Sequence, residues 1–478
     1  MDFVDYEFDS KEQFWEELDD MLLSDAHSPS LIANSVRSFV RFATKFMEEY
    51  LASDEDLMRC CVKFLNCPLF VKHRGQVRRI LITTLVQPET PLRTLLLSGI
   101  VLLLDGRKHN DTFEMMQEEE VCPVVIDIVW HCRAVDHRLH ECYLEILYEM
   151  CRVQRLRFCD LDHITDDLIE YLFNCVEHND SYDSDPYGYS HIRILLVLNE
   201  QYMLLQNARS SLNSHSEPVE NKVLTVLALK GHIYKIFGTN IIILLNREQD
   251  TALQLLILKM LYQLFTHKAT QEYFYTNDLT VLVDVFIREL HDLAEDADAL
   301  RHTFLRVLHP MLAYTQLRQI QYKRDELVKL LKMLGGSNRS GHYLPISETT
   351  QRLVARCMTV PWLEAFFSFD DEHPIHRLTL QHRLYSFGKS SSDHGSAGNS
   401  AGNSIGIHYD GQKQGDVSSI SSTVSISSQI ALPNAFPALD SMTVPHSPTK
   451  SESTVNVTPS ADATGGGNYG SGLITGEA

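Results

Sequence analysis

Residues 272–293 read EYFYTNDLTVLVDVFIRELHDL, and residues 300–327 read LRHTFLRVLHPMLAYTQLRQIQYKRDEL, with a short acidic connection between them. Leu279, Leu282, Phe286, Leu290 and Leu293 recur at helical spacing. Asn277 and Asp278 stand just ahead of them, where a helix start needs side chains that accept from free amides. A second helix carries Leu300, Phe304, Val307, Leu308 and Met311 on one face. Pro310 is expected to kink or end it, because proline lacks an amide hydrogen and clashes with the preceding turn. Two amphipathic helices in succession, without a segment alternating in period two, point to the all-α class.

The same pattern extends outward. Ser28-Pro29-Ser30 opens a helix with Ile32, Val36, Phe39, Val40, Ala43, Met47 and Tyr50 on one face. Further helices are expected near Asp54 to Asn66, Arg78 to Leu85, Pro91 to Leu104 and Val135 to Val153. Ile192 to Leu205 and Leu253 to Phe265 are apolar nearly all round, so neighbours should cover them on every side. Amphipathic helices alternating with fully buried ones are what stacked armadillo or HEAT repeats produce, since each unit buries its inner helix against the next. No strict period is visible. Asp180 to Tyr189 and Ser210 to Glu220 read as internal loops, and Gly335-Gly336 as a helix C-cap. The acidic helix Ser10 to Leu23, with Phe14, Trp15, Leu18, Met21 and Leu22, is expected to cap the first repeat.

Composition divides the chain. Up to residue 387 it is rich in Leu and poor in Gly; from 388 to 478 it turns to Ser, Gly, Asn and Thr, which bury too little apolar surface to offset chain entropy. The expected organisation is a helical solenoid over 1–387 and a disordered tail over 388–478. Net charge is −21, with nine acids in the first twenty residues, which argues against nucleic acid as a partner. Met1 opens an acidic segment rather than a signal peptide, and Thr94 to Leu104 falls short of the ~20 apolar residues of a membrane span. A soluble cytoplasmic protein with no membrane insertion is expected, and its ten cysteines read mainly as small core residues.

Chemistry has two weak candidates. His131, Cys132, His137, His140 and Cys142 could offer nitrogen and sulfur to zinc, but their spacing fits no paired-ligand motif. Cys151 and Cys159 lie near Arg152, Arg155 and Arg157, a setting that can lower a thiol pKa, yet no base is placed to use them. No phosphate loop, cofactor site or metal site is expected, and the chain reads as a non-enzyme. Function should then lie on a surface. Arg301, His302, Arg306 and His309 form a basic stripe that Arg318, Lys323 and Arg324 extend, with Tyr275, Asn277 and Asp278 as further contacts. The plainer alternative is a solvated face paired with Asp325 or Glu326, with the other three serving as cap and turn.

The wording YTNDL, LRHTFLRVL and YKRDEL, together with ILLVLNEQYM at Ile194 to Met203 and FGTNIIILLNR at Phe237 to Arg247, resembles the leucine-rich domain of the WISH/DIP/SPIN family. The resemblance spans roughly residues 192–334 and suggests a fungal member. It implies an all-α activator of the actin-related protein 2/3 complex that works without a pre-existing filament and seeds linear filaments at endocytic, cortical actin patches. A helical scaffold linking endocytic or polarity factors without nucleation is the alternative, and an enzyme built on the His/Cys cluster a third. Pro445-His446-Ser447-Pro448-Thr449-Lys450 fits a Src-homology-3 ligand, with Pro445, Pro448 and Lys450 as its elements, and also a proline-directed phosphorylation site at Ser447. Animal relatives carry their own Src-homology-3 domain and several fungal ones richer proline tracts; this chain has only the one match.

Overall fold

The computed structural model describes residues 8–23, 27–178, 188–211, 219–336, 346–364 and Leu378. Every regular element among them is a helix. The first are α1 (Lys11–Leu22), α2 (Pro29–Lys45), the single turn α3 (Met47–Tyr50), α4 (Asp54–Asn66), α5 (Pro68–Val86), α6 (Leu92–Lys108) and α7 (Asp111–Glu118). Then come α8 (Cys122–Cys132), α9 (His137–Val153), α10 (Phe158–Asp162), α11 (Asp166–Glu177), α12 (Tyr189–Ser211), α13 (Lys222–Lys230) and α14 (Lys235–Arg247). The last are α15 (Thr251–Thr266), α16 (Thr276–Asp292), α17 (Asp298–Tyr314), α18 (Leu317–Ile320), α19 (Arg324–Leu334), α20 (Glu348–Met358) and α21 (Pro361–Glu364). The boundary expected at 387/388, the loop Asp180 to Tyr187 and the motif at Pro445, Ser447, Pro448 and Lys450 lie outside the described residues.

Local chemistry sets the helix starts. Ser28 accepts from the Leu31 amide at 3.3 Å with Pro29 in the first turn, Ser53 accepts from Asp56 at 3.1 Å, and Asp250 accepts from Ala252 and Leu253 at 3.1 and 3.3 Å. The helix expected to run from Ser28 to Tyr50 instead breaks at Phe46 into α2 and α3. Arg78 to Leu85 lies within the longer α5, whose backbone leaves helical geometry at His73. Asn277 and Asp278 sit inside the first turn of α16, not ahead of it; the cap position is Tyr275, whose amide donates to Asp278 Oδ2 at 3.3 Å. Pro310 does not end α17, which continues to Tyr314. Its buried ring is held by the packing of α17 against α15 and α20, which carries the helix past the one amide that proline omits.

The helices pack in two layers. An inner row runs α4, α6, α9, α12, α15, α17, α20, each touching the next, while α2, α5, α8, α11, α14, α16 and α19 cover it from outside. This is the succession of a helical solenoid. The inner helices α6 and α15 are apolar nearly all round because neighbours and the outer layer enclose them: α6 is buried from Leu95 to Gly106, and α15 buries Leu253, Leu256, Ile257, Leu258, Met260, Leu261, Leu264 and Phe265. Close approach requires Gly106, since a Cβ there would lie 2.4 Å from the Phe113 ring. At the N-terminal end α1 closes the stack, with Phe14 stacked on Phe42 at 5.3 Å and Trp15 beneath Arg59 at 4.5 Å.

Charged groups inside the stack fix its register. Glu145 on α9 accepts from Arg107 of α6 at 2.7 Å and lies 3.4 Å from Arg193 of α12. Arg193 is 2% exposed and stacks on Tyr148 at 3.7 Å. Between α5 and α6, Asp105 holds Arg78 at 2.5 Å and accepts from Thr112 at 2.7 Å. Each pair is satisfied only when the neighbouring helices it joins sit at one axial offset.

Candidate partner-binding surface

The residues considered for chemistry diverge. His131 and His137 are exposed, with His131 Nδ1 on the Asp127 carbonyl at 2.7 Å and His137 3.1 Å from Glu141. His140 is buried: its Nδ1 meets the Val129 carbonyl at 3.0 Å and its Nε2 the Tyr171 hydroxyl at 3.1 Å. A carbonyl only accepts, so Nδ1 carries the proton and Nε2 accepts from tyrosine. Burial pushes the His140 pKa down to about 4. Among the described residues no group of three or more His, Cys, Asp or Glu side chains converges on a metal position. Cys151 departs from expectation: it is fully buried, and desolvation drives its pKa well up rather than down. The arginine beside Cys159 serves Asp160, with Arg157 Nη2 2.9 Å from Asp160 Oδ1.

The surface candidates separate into three groups. Arg301 does not present an open cation: its side chain is 11% exposed, pairs with Asp298 at 2.6 Å, and donates to the carbonyls of Ala294 and Glu295 at 2.6 and 3.3 Å. His302 faces α20, where Nε2 meets Thr350 Oγ1 at 2.8 Å and Ser347 Oγ at 3.2 Å; burial lowers its pKa. Arg306 and His309 are half-buried, and the His309 ring meets Tyr314 edge-on at 6.1 Å. The first half of the expected stripe thus lies along internal contacts of α17.

The second group forms the turn between α18 and α19. Gln321 and Lys323 take left-handed backbone at φ 49° and 47°. Asp284 of α16 holds this turn, lying 3.2 Å from Lys323 Nζ and accepting from the Tyr322 hydroxyl at 3.3 Å, while Glu326 lies 3.3 Å from the same lysine. Arg324 approaches Asp325 at 3.5 Å, and Arg318 is exposed.

The third group is open. Tyr275 is 62% exposed, with Lys235 of α14 4.8 Å from its ring centre. Lys235 also donates to the Tyr273 carbonyl, and burial lowers its pKa. Asn277 is exposed beside it, and its carbonyl accepts from Thr280 at 2.7 Å. Sequence reasoning missed the exposed apolar residues of these outer elements: Leu229 at 71%, Ile233 at 50%, Ile236 at 44% and Val281 at 48% exposed, on α13, the following turn, α14 and α16. Ile236 and Val281 stand in otherwise ordinary apolar runs. Their exposure follows only from which face each outer helix turns to α11, α15 and α17, although a β-branched residue on the solvent side of the helical wheel was a signal in principle.

The region 184–327, which takes in α12 and the helices after it up to the first turn of α19, matches the family described as the SPIN90/Ldb17 leucine-rich domain. Over 375 residues the chain is 30% identical to Protein dip1 of Schizosaccharomyces pombe, covering 76% of this chain and 97% of that protein. It is 25% identical to Protein LDB17 of Eremothecium gossypii over 376 residues, covering 72% of this chain and 80% of the other. With Protein LDB17 of Saccharomyces cerevisiae the identity is 26% over 404 residues, covering 74% and 80%. Breadth of coverage, the matched region and the helical stack agree: the chain is a fungal member of the WISH/DIP/SPIN family, the proteins that carry the SPIN90/Ldb17 leucine-rich domain.

Proposed function

We propose that the protein activates the actin-related protein 2/3 complex, seeding linear actin filaments without a pre-existing filament at cortical, endocytic actin patches. The observation that carries this reading is that the family match over 184–327 takes in α13, α14 and α16, the outer helices that expose Leu229, Ile236 and Val281, with Tyr275 at the start of α16. An activator needs differential affinity alone: it must hold the filament-like arrangement of the complex more tightly than the resting one. A stack whose register is fixed by buried ion pairs holds its contact points at constant spacing, which favours one arrangement over another. We place the docking surface on Tyr275, Asn277 and Asp278 with Lys235 and Ile236, and extend it to Arg318, Lys323 and Arg324. Arg301, His302, Arg306 and His309 shape α17 behind it. The role is non-enzymatic, and recruitment of Src-homology-3 proteins through Pro445 to Lys450 is a separate, auxiliary step.

Pyrene-actin assembly with purified complex and no added filaments tests the activity. Stimulated assembly is expected; a protein that binds the complex yet leaves assembly unchanged is the scaffold of the alternative. Tyr275→Ala with Ile236→Asp should leave melting unchanged, since both side chains are exposed, and lower stimulation by roughly tenfold or more. Full stimulation by this pair would move the docking surface elsewhere.

A further inference from the structure

A groove of about 750 Å³ runs between α2 and α5, at the opposite end of the stack from Tyr275. Val36, Val40 and Ile80 line its floor; Arg37, Arg41 and Arg79 stand on its walls with Thr44, Thr83 and Thr84; and its lining contains no carboxylate. In a chain of net charge −21 this concentration of arginine is against the general trend. A carboxylate does reach Arg79 from outside: Glu119 lies 3.0 Å from its Nε, but the two side chains are 41% and 60% exposed, so water screens the pair and a ligand can replace it at little cost. Arg37 and Arg41 lie one turn apart on α2 and are both exposed.

We propose that this groove binds an amphipathic helix of a partner protein, one with an apolar stripe flanked by Asp and Glu. The arrangement of the lining selects that occupant. Apolar side chains lie at the bottom and cations on the walls, so a ligand must turn hydrocarbon inward and carboxylates sideways, as a helix laid in a groove does. A flat bilayer surface would meet the exposed arginines but leave the recessed apolar floor uncovered, whereas a helix lying in the groove covers both. Bases of single-stranded nucleic acid need aromatic platforms, and the lining contains none. Charge complementarity then favours an acidic partner by steering and by paired contacts at the rim. The groove is lined by α2, α5 and the start of α6, outside the region 184–327, and is a different surface from the one proposed above.

Phage-displayed helical peptides of ~18 residues, about five turns, test this when their apolar positions are fixed at i, i+3, i+4 and i+7 and the others randomised. Panned on the full chain, the selected peptides should be enriched in Asp and Glu beside the stripe and should weaken as salt is raised. Arg37→Glu with Arg41→Glu should weaken them by roughly tenfold or more with melting nearly unchanged, and Val40→Asp should weaken them likewise, compared at a temperature where both proteins are folded. If charge reversal disturbs folding, Arg37→Gln with Arg41→Gln carries the same comparison. Acid-poor winners, or winners that bind these variants like the parent, overturn the proposal. Phosphatidylserine vesicles are the second probe: vesicle binding that the arginine variants abolish while peptide binding persists would make the groove a membrane site and the proposal wrong.

Discussion

Arg301 pairs with the Asp298 carboxylate in the first turn of its own helix and ties down the acidic connection before it through the carbonyls of Ala294 and Glu295. Its reversal to Glu therefore tests folding more than docking. Arg301→Glu should lower stability by about 1–3 kcal/mol, the usual cost of leaving such polar groups unpaired, as a shift in the urea midpoint at unchanged slope. His140 gives a pH-dependent expectation. Folded, it is neutral because burial holds its pKa near 4, whereas its ordinary value is 6.5. In the unfolded chain it therefore binds a proton first as pH falls. Its stabilising contribution is complete above about pH 6.5 and is lost progressively toward pH 4, on the order of 2 kcal/mol between about pH 7 and pH 5. His140→Gln should flatten that part of the stability profile; a slope identical to the parent's would show that His140 already protonates in the folded state.

At the scale of single elements, α15 is enclosed by α12, α14 and α17, and Leu256 is 4% exposed within it. Leu256→Asp should cost several kcal/mol, because an unpaired carboxylate between repeats either stays charged in apolar surroundings or takes up a proton to remain there. Calorimetry checks this, and an unchanged melting curve would mean that α15 is not internal. The offset of α12 against α9 depends on Arg193, which approaches Glu145 and stacks on Tyr148. Arg193→Met should destabilise by about 3 kcal/mol, the low end for breaking a buried ion pair, since Arg107 still holds the other oxygen of Glu145. Both effects should be far smaller for Lys45 on α2, whose side chain is exposed.

Across the whole molecule, stability passes from each inner helix to the next, so the stack needs its end caps more than its tail. A chain ending near residue 387 is expected to melt as cooperatively as the full one and to stimulate actin assembly equally. Loss of either property on that truncation would place an essential segment beyond 387. Removal of α1, which covers Phe42 through Phe14, should by contrast expose apolar surface at the first repeat and lower the melting temperature.

The all-α class, the buried character of α12 and α15, and starts such as Ser28-Pro29 were legible in the sequence, because helical periodicity and capping are local and each is written within a few neighbouring residues. Of the two outcomes expected for Pro310, ending the helix did not occur, for the complementary reason: packing on both sides of α17 outweighs a missing amide, and packing is not local. The surface was the least legible part. Arg301 and Tyr275 both read as surface contacts in the chain, yet one is held by an acid and two carbonyls while the other stands open beside Lys235. Which residues an outer helix shows to solvent is decided by the rotation it adopts over the inner row, and only the tertiary structure sets that rotation, because it depends on side chains from helices far apart in the chain.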